Sequence, residues 1–267
     1  MNLPLFDANA HPTVTGKWGD KNLDSSFEHF NHELASNGYR GACAVGVSGL
    51  EGYKHSLFVQ YCQKFPHLIP IAGCTVHSEK EMDRELGLIQ DLGFKGVKIH
   101  PKDPTVNLGD PRLVKFFEIA QKRGLPIFFC TYLHHRISDY PDADPFYALV
   151  SLLKRVPQAR VLLIHGGDVR LLQYSELVRF NHNLLLDLSQ TLMKYPGSSI
   201  DLDLQFLFQH FDQRICVGTD FPEYSLHAVK TRFEKLAHGI SQEKINNIAF
   251  QNIEKFLDLE KLNSQSP

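Results

Sequence analysis

The sequence has no basic stripe and no block of like charge. Acids and bases are interspersed, the formal net charge is -2, and neither nucleic acid nor an anionic membrane is indicated as the main partner. No apolar run is long enough to span a bilayer, and Met1 to Ala10 has no basic region of the kind that opens a secretory signal. The chain therefore reads as soluble and cytoplasmic. The five cysteines (Cys43, Cys62, Cys74, Cys130, Cys216) are odd in number and never spaced Cys-x-x-Cys, which argues against a disulfide framework or a zinc knuckle. No Gly-x-Gly-x-x-Gly follows the first apolar run, so a dinucleotide-binding doubly wound sheet is the lesser structural reading. There is no low-complexity segment and no linker.

What is present is a long alternation. With 267 residues, 43% of them hydrophobic, the chain can bury one large core. Apolar runs predict strands at Leu3 to Ala8, Ala42 to Val47, Leu68 to Val76, Gly96 to His100, Pro126 to Thr131, Arg160 to His165, Asn183 to Leu188 and Arg214 to Val217. Helical patterns fall between them. Ser25-x-x-Glu28 and Ser78-x-x-Glu81 predict capping boxes, and Asp110-Pro111 predicts an N-cap with proline at the first helical position. The segment from Thr13 to Asp24 is polar and predicts a loop. Runs such as Val161-Leu-Leu-Ile164 are apolar without alternation, as strands buried on both faces must be. Eight such strands separated by helices predict a single-domain (β/α)8 TIM barrel over residues 1–262, with a frayed tail at 263–267.

A barrel of this kind keeps its chemistry at the C-terminal ends of its strands. The polar residues at those ends are Asn9 and His11, Lys98 and His100, Cys130, His165, Asp187 and Asp220. They are metal-ligand and acid/base types in register with one rim. Each has a plainer reading alone: Asn9 as a turn residue, His165 as a histidine bonded to backbone, Asp220 as an N-cap. Asn9 and His11 stand two apart and project from one face of an extended segment. Gly166-Gly167 would keep the space before His165 clear.

These stretches carry a resemblance. Phe6-Asp-Ala-Asn-Ala-His11 resembles the Asp-x-His-x-His opening of the amidohydrolase superfamily, with Asn9 at the first histidine. Gly93-Phe-Lys-Gly-Val-Lys-Ile-His-Pro101, Val161-Leu-Leu-Ile-His-Gly-Gly167 and Arg214-Ile-Cys-Val-Gly-Thr-Asp-Phe-Pro222 are similar to the strand-four, strand-six and strand-eight segments of its amidohydrolase-related (type 2) family. Gly124-Leu-Pro-Ile-Phe-Phe-Cys-Thr131 is similar to strand five, with Cys130 where a histidine normally stands. The resemblance covers nearly the whole chain. It implies one divalent metal, zinc first, with His11, Cys130, Asp220 and His165 as ligands, and Asp220 and His165 as the catalytic pair. A thiolate can replace an imidazole on zinc, whereas Asn9 offers a poorer ligand.

The expected activity is metal-dependent hydrolysis of a small ester, lactone or amide. Lys98, His100, His134, Arg136 and Arg170 are candidate anchors for a carboxylate or phosphate on the substrate. Three other readings stand beside it: a decarboxylase on the same site, a metal-free lactonase, and a barrel that binds a metabolite or partner without turnover. TatD-type nuclease activity is disfavoured, because Gly96-Val-Lys-Ile-His100 contains no glutamate. A homo-oligomer is compatible with the sequence and not specified by it.

Overall fold

The computed structural model describes residues 3–101, 108–132 and 144–259. Eight strands lie parallel and pair in sequence order: β1 Phe6–Ala10, β2 Gly41–Val45, β3 Leu68–Cys74, β4 Val97–Ile99, β5 Ile127–Cys130, β6 Val161–Ile164, β7 Leu184–Asp187 and β8 Ile215–Cys216. The ring closes just after β8. Ala8 N donates to Val217 O at 3.0 Å, Asp220 N to Asn9 O at 2.8 Å and His11 N to Phe221 O at 2.8 Å. This is the expected (β/α)8 barrel.

Two hydrophobic layers hold it. Between strands and helices, side chains such as Leu5, Phe30, Phe58, Phe116, Phe117 and Phe233 are fully or almost fully buried. Inside the barrel, Phe6, Ala8, Cys43, Val45, Ile71, Phe128, Leu162, Ile164, Leu185 and Cys216 pack together, with Ile253, Leu257 and Leu259 of the last helical segment beside them. The period of two along each strand explains this lining. On the same inward parity, the positions nearest the C-terminal rim turn polar: Lys98 after Gly96, Cys130 after Phe128, and Asp187 after Leu185. The filled lower barrel is the floor of the site.

Local chemistry sets the helix starts. Ser78 and Glu81 form the full capping box, and Asp110 caps a helix with Pro111 at its start. The first helix, Phe27–Asn37, begins one residue later than expected, capped by Ser26, whose Oγ accepts from His29 N at 3.2 Å. Ser25 cannot serve, because its buried hydroxyl lies 2.7 Å from Thr13 Oγ1. The predicted loop holds a short antiparallel hairpin, Lys17–Trp18 with Lys21–Asp24. Its signal is the Gly19-Asp20 turn, with Gly19 at φ +54°. Among the described residues, no helix is long and apolar enough to cross a membrane. The expected tail lies outside the described residues.

Candidate active site

The register of β1 shifts between Asp7 and Ala10, and the backbone there carries Asn9 and His11 to the mouth of the barrel. His11 Nδ1 lies 2.8 Å from Val45 O. A carbonyl only accepts, so Nδ1 carries the proton and Nε2 turns its lone pair to the cavity. That nitrogen is 3.1 Å from Lys98 Nζ and 3.4 Å from Asp220 Oδ1. Burial and the adjacent Lys98 push the imidazole below its ordinary pKa, which favours the neutral form. Trp18, at the end of the first hairpin strand, stacks on the ring with centroids 5.3 Å apart and planes 9° apart.

Asp220 sits at φ +54°, in the left-handed region, where a side chain costs about 1 kcal/mol or more. Both of its oxygens accept from amides: Oδ1 from Asn9 Nδ2 at 3.1 Å and Oδ2 from Gln190 Nε2 at 2.6 Å. Burial opposes its charge, but His165, His11 and Lys98 together outweigh burial and hold the carboxyl well below the usual range. It stays ionised. Lys98 is 6% exposed; burial draws its ammonium pKa down, against the opposing pull of Cys130, Asp220 and Asp187.

His165 is held from behind. Its Nδ1 lies 3.0 Å from Ser189 Oγ, and that hydroxyl donates to Asp187 Oδ2. Its backbone sits at φ +71°, with its N–H on Asp187 Oδ2 at 3.3 Å and its carbonyl accepting from Thr191 Oγ1 at 2.6 Å. The two glycines after it have a different task from clearing space before His165. Both take positive φ, and a Cβ on Gly167 would lie 2.0 Å from the Tyr174 ring. Cys130 lines the same cavity as His165. Burial raises its thiol pKa, but His165 and Lys98 more than offset this and leave it below the ordinary value.

These groups open on a cavity of about 520 Å³, lined by His11, Trp18, Lys98, His100, Cys130, Tyr132, His165, Gln190 and Asp220 among others. A larger one, about 680 Å³, lies at the opposite end of the strands against Arg160, Asn183, Arg214 and Lys255. Barrel chemistry belongs to the C-terminal rim, so the smaller cavity is the candidate site. Of the expected anchors, Lys98 and His100 line it. Arg170 does not, since its guanidinium makes a two-oxygen pair with Asp144 at 2.7 and 2.8 Å. His134 and Arg136 lie outside the described residues. Trp18, Ser189 and Gln190 were not anticipated; the last two follow β7 directly, a position that could have flagged them.

Burial raises the Asp7 and Asp187 carboxyls to about 7. Between 3.8 and 7 the folded protein therefore holds protons that the unfolded chain has released, so stability falls as pH rises through that window, by at most about 4 kcal/mol per carboxyl. Urea midpoints are expected to drop from pH 4.5 to pH 7. Asp187→Asn should flatten part of that slope.

The expected metal ligands reach one rim without forming a chelate. Among the described residues, no three His, Cys, Asp or Glu side chains group to hold a metal ion. The His11 lone pair faces an ammonium, each Asp220 oxygen accepts an amide proton, and Asn9 is turned as a donor. This donor set does not fit a resident divalent metal.

A parallel eight-stranded barrel with convergent titratable groups at its C-terminal rim defines the class as a (β/α)8 barrel with a rim site. More narrowly, the chain belongs to the amidohydrolase family, whose model matches residues 6–259, and members of that superfamily are enzymes, hydrolases and decarboxylases among them. An uncharacterized TIM-barrel protein from Bordetella bronchiseptica is 20% identical, with 96% of this chain and 99% of that one covered and a TM-score of 0.77. A probable 2-pyrone-4,6-dicarboxylic acid hydrolase from Acinetobacter baumannii, with citric acid bound, is 18% identical over 97% and 100% of the two chains, TM-score 0.69. The 5-carboxyvanillate decarboxylase of Novosphingobium aromaticivorans, complexed with manganese and a nitrobenzoic acid, is 13% identical over 96% of each, TM-score 0.70. At such identities the likeness establishes the fold. No curated protein matches the sequence.

Proposed function

We propose that this barrel hydrolyses a small ester or lactone that carries a carboxylate. The observation that carries the reading is the convergence of Lys98, His11 and ionised Asp220 on one cavity of about 520 Å³, a volume suited to a small molecule. Lys98 stands where positive charge would stabilise the oxyanion formed as water adds to the carbonyl carbon. Asp220 orients that water and receives its proton as the tetrahedral adduct forms, then passes it to the leaving oxygen when the C–O bond breaks. A carboxylate held so low is a weak base at rest. Proton transfer is therefore coupled to oxyanion formation, which Lys98 makes favourable. His165, fixed through Ser189 and Asp187, faces the same space with Cys130.

The carboxylate on the substrate follows from the cationic and imidazole groups of Lys98 and His100 in the cavity wall. It is supported by the citric acid held in the structural neighbour named as a pyrone-dicarboxylic acid hydrolase. A panel of carboxylated lactones and esters, and one of carboxylated phenols, separates the two chemistries of the superfamily. Ring opening or ester cleavage with no CO2 released is the expected result. CO2 evolution from the phenols alone would assign decarboxylation instead, and saturable ligand binding without turnover on either panel would make this a binding barrel.

A further inference from the structure

We propose that Lys98 is the resident cation of this site: its ammonium stands on the free lone pair of His11, in the cavity wall shared with Cys130 and Asp220, and so keeps a divalent ion out. The inference concerns the same site as the proposed hydrolysis but not its substrate. It is read from metal content, so the two can fail separately.

The His11 ring supplies the first argument. With Nδ1 committed to Val45 O, its one remaining lone pair is on Nε2, 3.1 Å from Lys98 Nζ. A lone pair serves one partner, so an N–H of Lys98 and a metal ion are mutually exclusive there. Asp220 supplies the second. Its Oδ1 and Oδ2 each accept one amide proton, from Asn9 and from Gln190, which fixes the carboxylate's orientation and leaves one lone pair on each oxygen. Asn9 is oriented as a donor, since its Nδ2 bonds both Asp220 Oδ1 and Ser189 Oγ. Turning the amide over would set its carbonyl oxygen against a carboxylate. Its Oδ1 is left buried without a partner, so the donor orientation is kept at the expense of that atom.

Charge supplies the third. Lys98 is 6% exposed and rises from β4 into the wall that also holds Cys130 and Asp220, and the negative charge of Asp220 acts on its ammonium. A dication added beside a buried ammonium would meet repulsion, and two of the other acids near this rim already serve lysines, Asp168 with Lys194 and Glu223 with Lys21. Asn9 and Lys98 thus act together: one residue withdraws a ligand and offers donors, and the other brings the charge. The arrangement gives the site one fixed positive charge on a covalent stem.

Removing the ammonium should therefore admit a metal. Wild type, Lys98→Met and Lys98→Met/His11→Ala are to be expressed in zinc- and manganese-supplemented medium and purified without chelator. Metal per chain is then measured by plasma mass spectrometry, and melting is followed with and without added zinc. Wild type is expected to carry far less than one metal per chain and to show no zinc-dependent rise in melting temperature. Lys98→Met is expected to gain zinc roughly tenfold, to melt higher with zinc present, and to lose both effects in the double variant. If Lys98→Met does not fold, Lys98→Gln, which removes the charge but keeps a polar end one atom shorter, is read the same way. Near-stoichiometric zinc or manganese in wild type that His11→Ala removes would overturn the proposal. So would a folded Lys98 variant that gains no metal.

Discussion

Asp220→Asn is expected to lower kcat/KM by about 10³-fold on whichever substrate the panel identifies, nearly all of it in kcat. The carboxylate has two tasks that an amide cannot perform together. It accepts from Asn9 and Gln190 on its two oxygens, and its charge faces Lys98 and His11. An asparagine keeps one acceptor and turns an NH2 toward the other donor, so one of the two amide bonds becomes a donor–donor contact. The neutral side chain also leaves Lys98 without its ionised neighbour on this side and cannot take a proton from water. Because His165, His11 and Lys98 outweigh burial and favour the Asp220 charge, the neutral side chain should also cost some stability, so the kinetic loss is read beside the melting temperature. Steady-state kinetics together with a melting curve make the distinction. A loss smaller than tenfold in a variant that melts like wild type would move water activation away from Asp220.

The barrel was legible because its strands are buried on both faces and so read as unbroken apolar runs. The edges of those runs shifted for identifiable reasons. Leu3 and Leu5 are apolar and buried, yet they precede β1 and belong to the layer between strands and helices. Asn9 is polar, yet it lies within β1 because its side chain has partners at the rim. β8 is only two residues long, since beyond Cys216 the chain turns its hydrogen bonds to β1 in an irregular pattern. In the site, His11, Lys98, Cys130, His165 and Asp220 could be read from their places at strand ends. That Lys98 would come to lie on His11 could not: the two are 87 residues apart, and their contact depends on how far each side chain reaches into a shared mouth. Arg170 illustrates the converse. Its place just after β6 suits the rim, but Asp144, at the start of the preceding helix, claims its guanidinium.

Asp7→Ala should cost about 3–5 kcal/mol of stability, more than any single change at the rim. Asp7 is fully buried, and its carboxyl accepts from Asn9 N at 3.1 Å, from Thr219 N at 2.8 Å and from Thr219 Oγ1. These bonds lie where the barrel has no regular ladder, between β1 and the segment after β8. Alanine would strand two backbone donors and a hydroxyl in the interior, each worth about 1–3 kcal/mol when left unpaired. The damage would also reach the chemistry. Thr219 precedes Asp220, and Asp220 N donates to Asn9 O at 2.8 Å, so one acidic side chain sets the register of both residues that meet across the seam. Asp7→Asn is the informative companion, because burial holds the native carboxyl near 7 and the amide copies its neutral form. It keeps one acceptor but turns an NH2 toward Thr219, and it should fall between wild type and alanine. Urea denaturation at pH 6, with all three proteins compared at equal m-value, reads the order directly. An alanine variant within about 1 kcal/mol of wild type would mean that the backbone bonds across the seam close the barrel without Asp7.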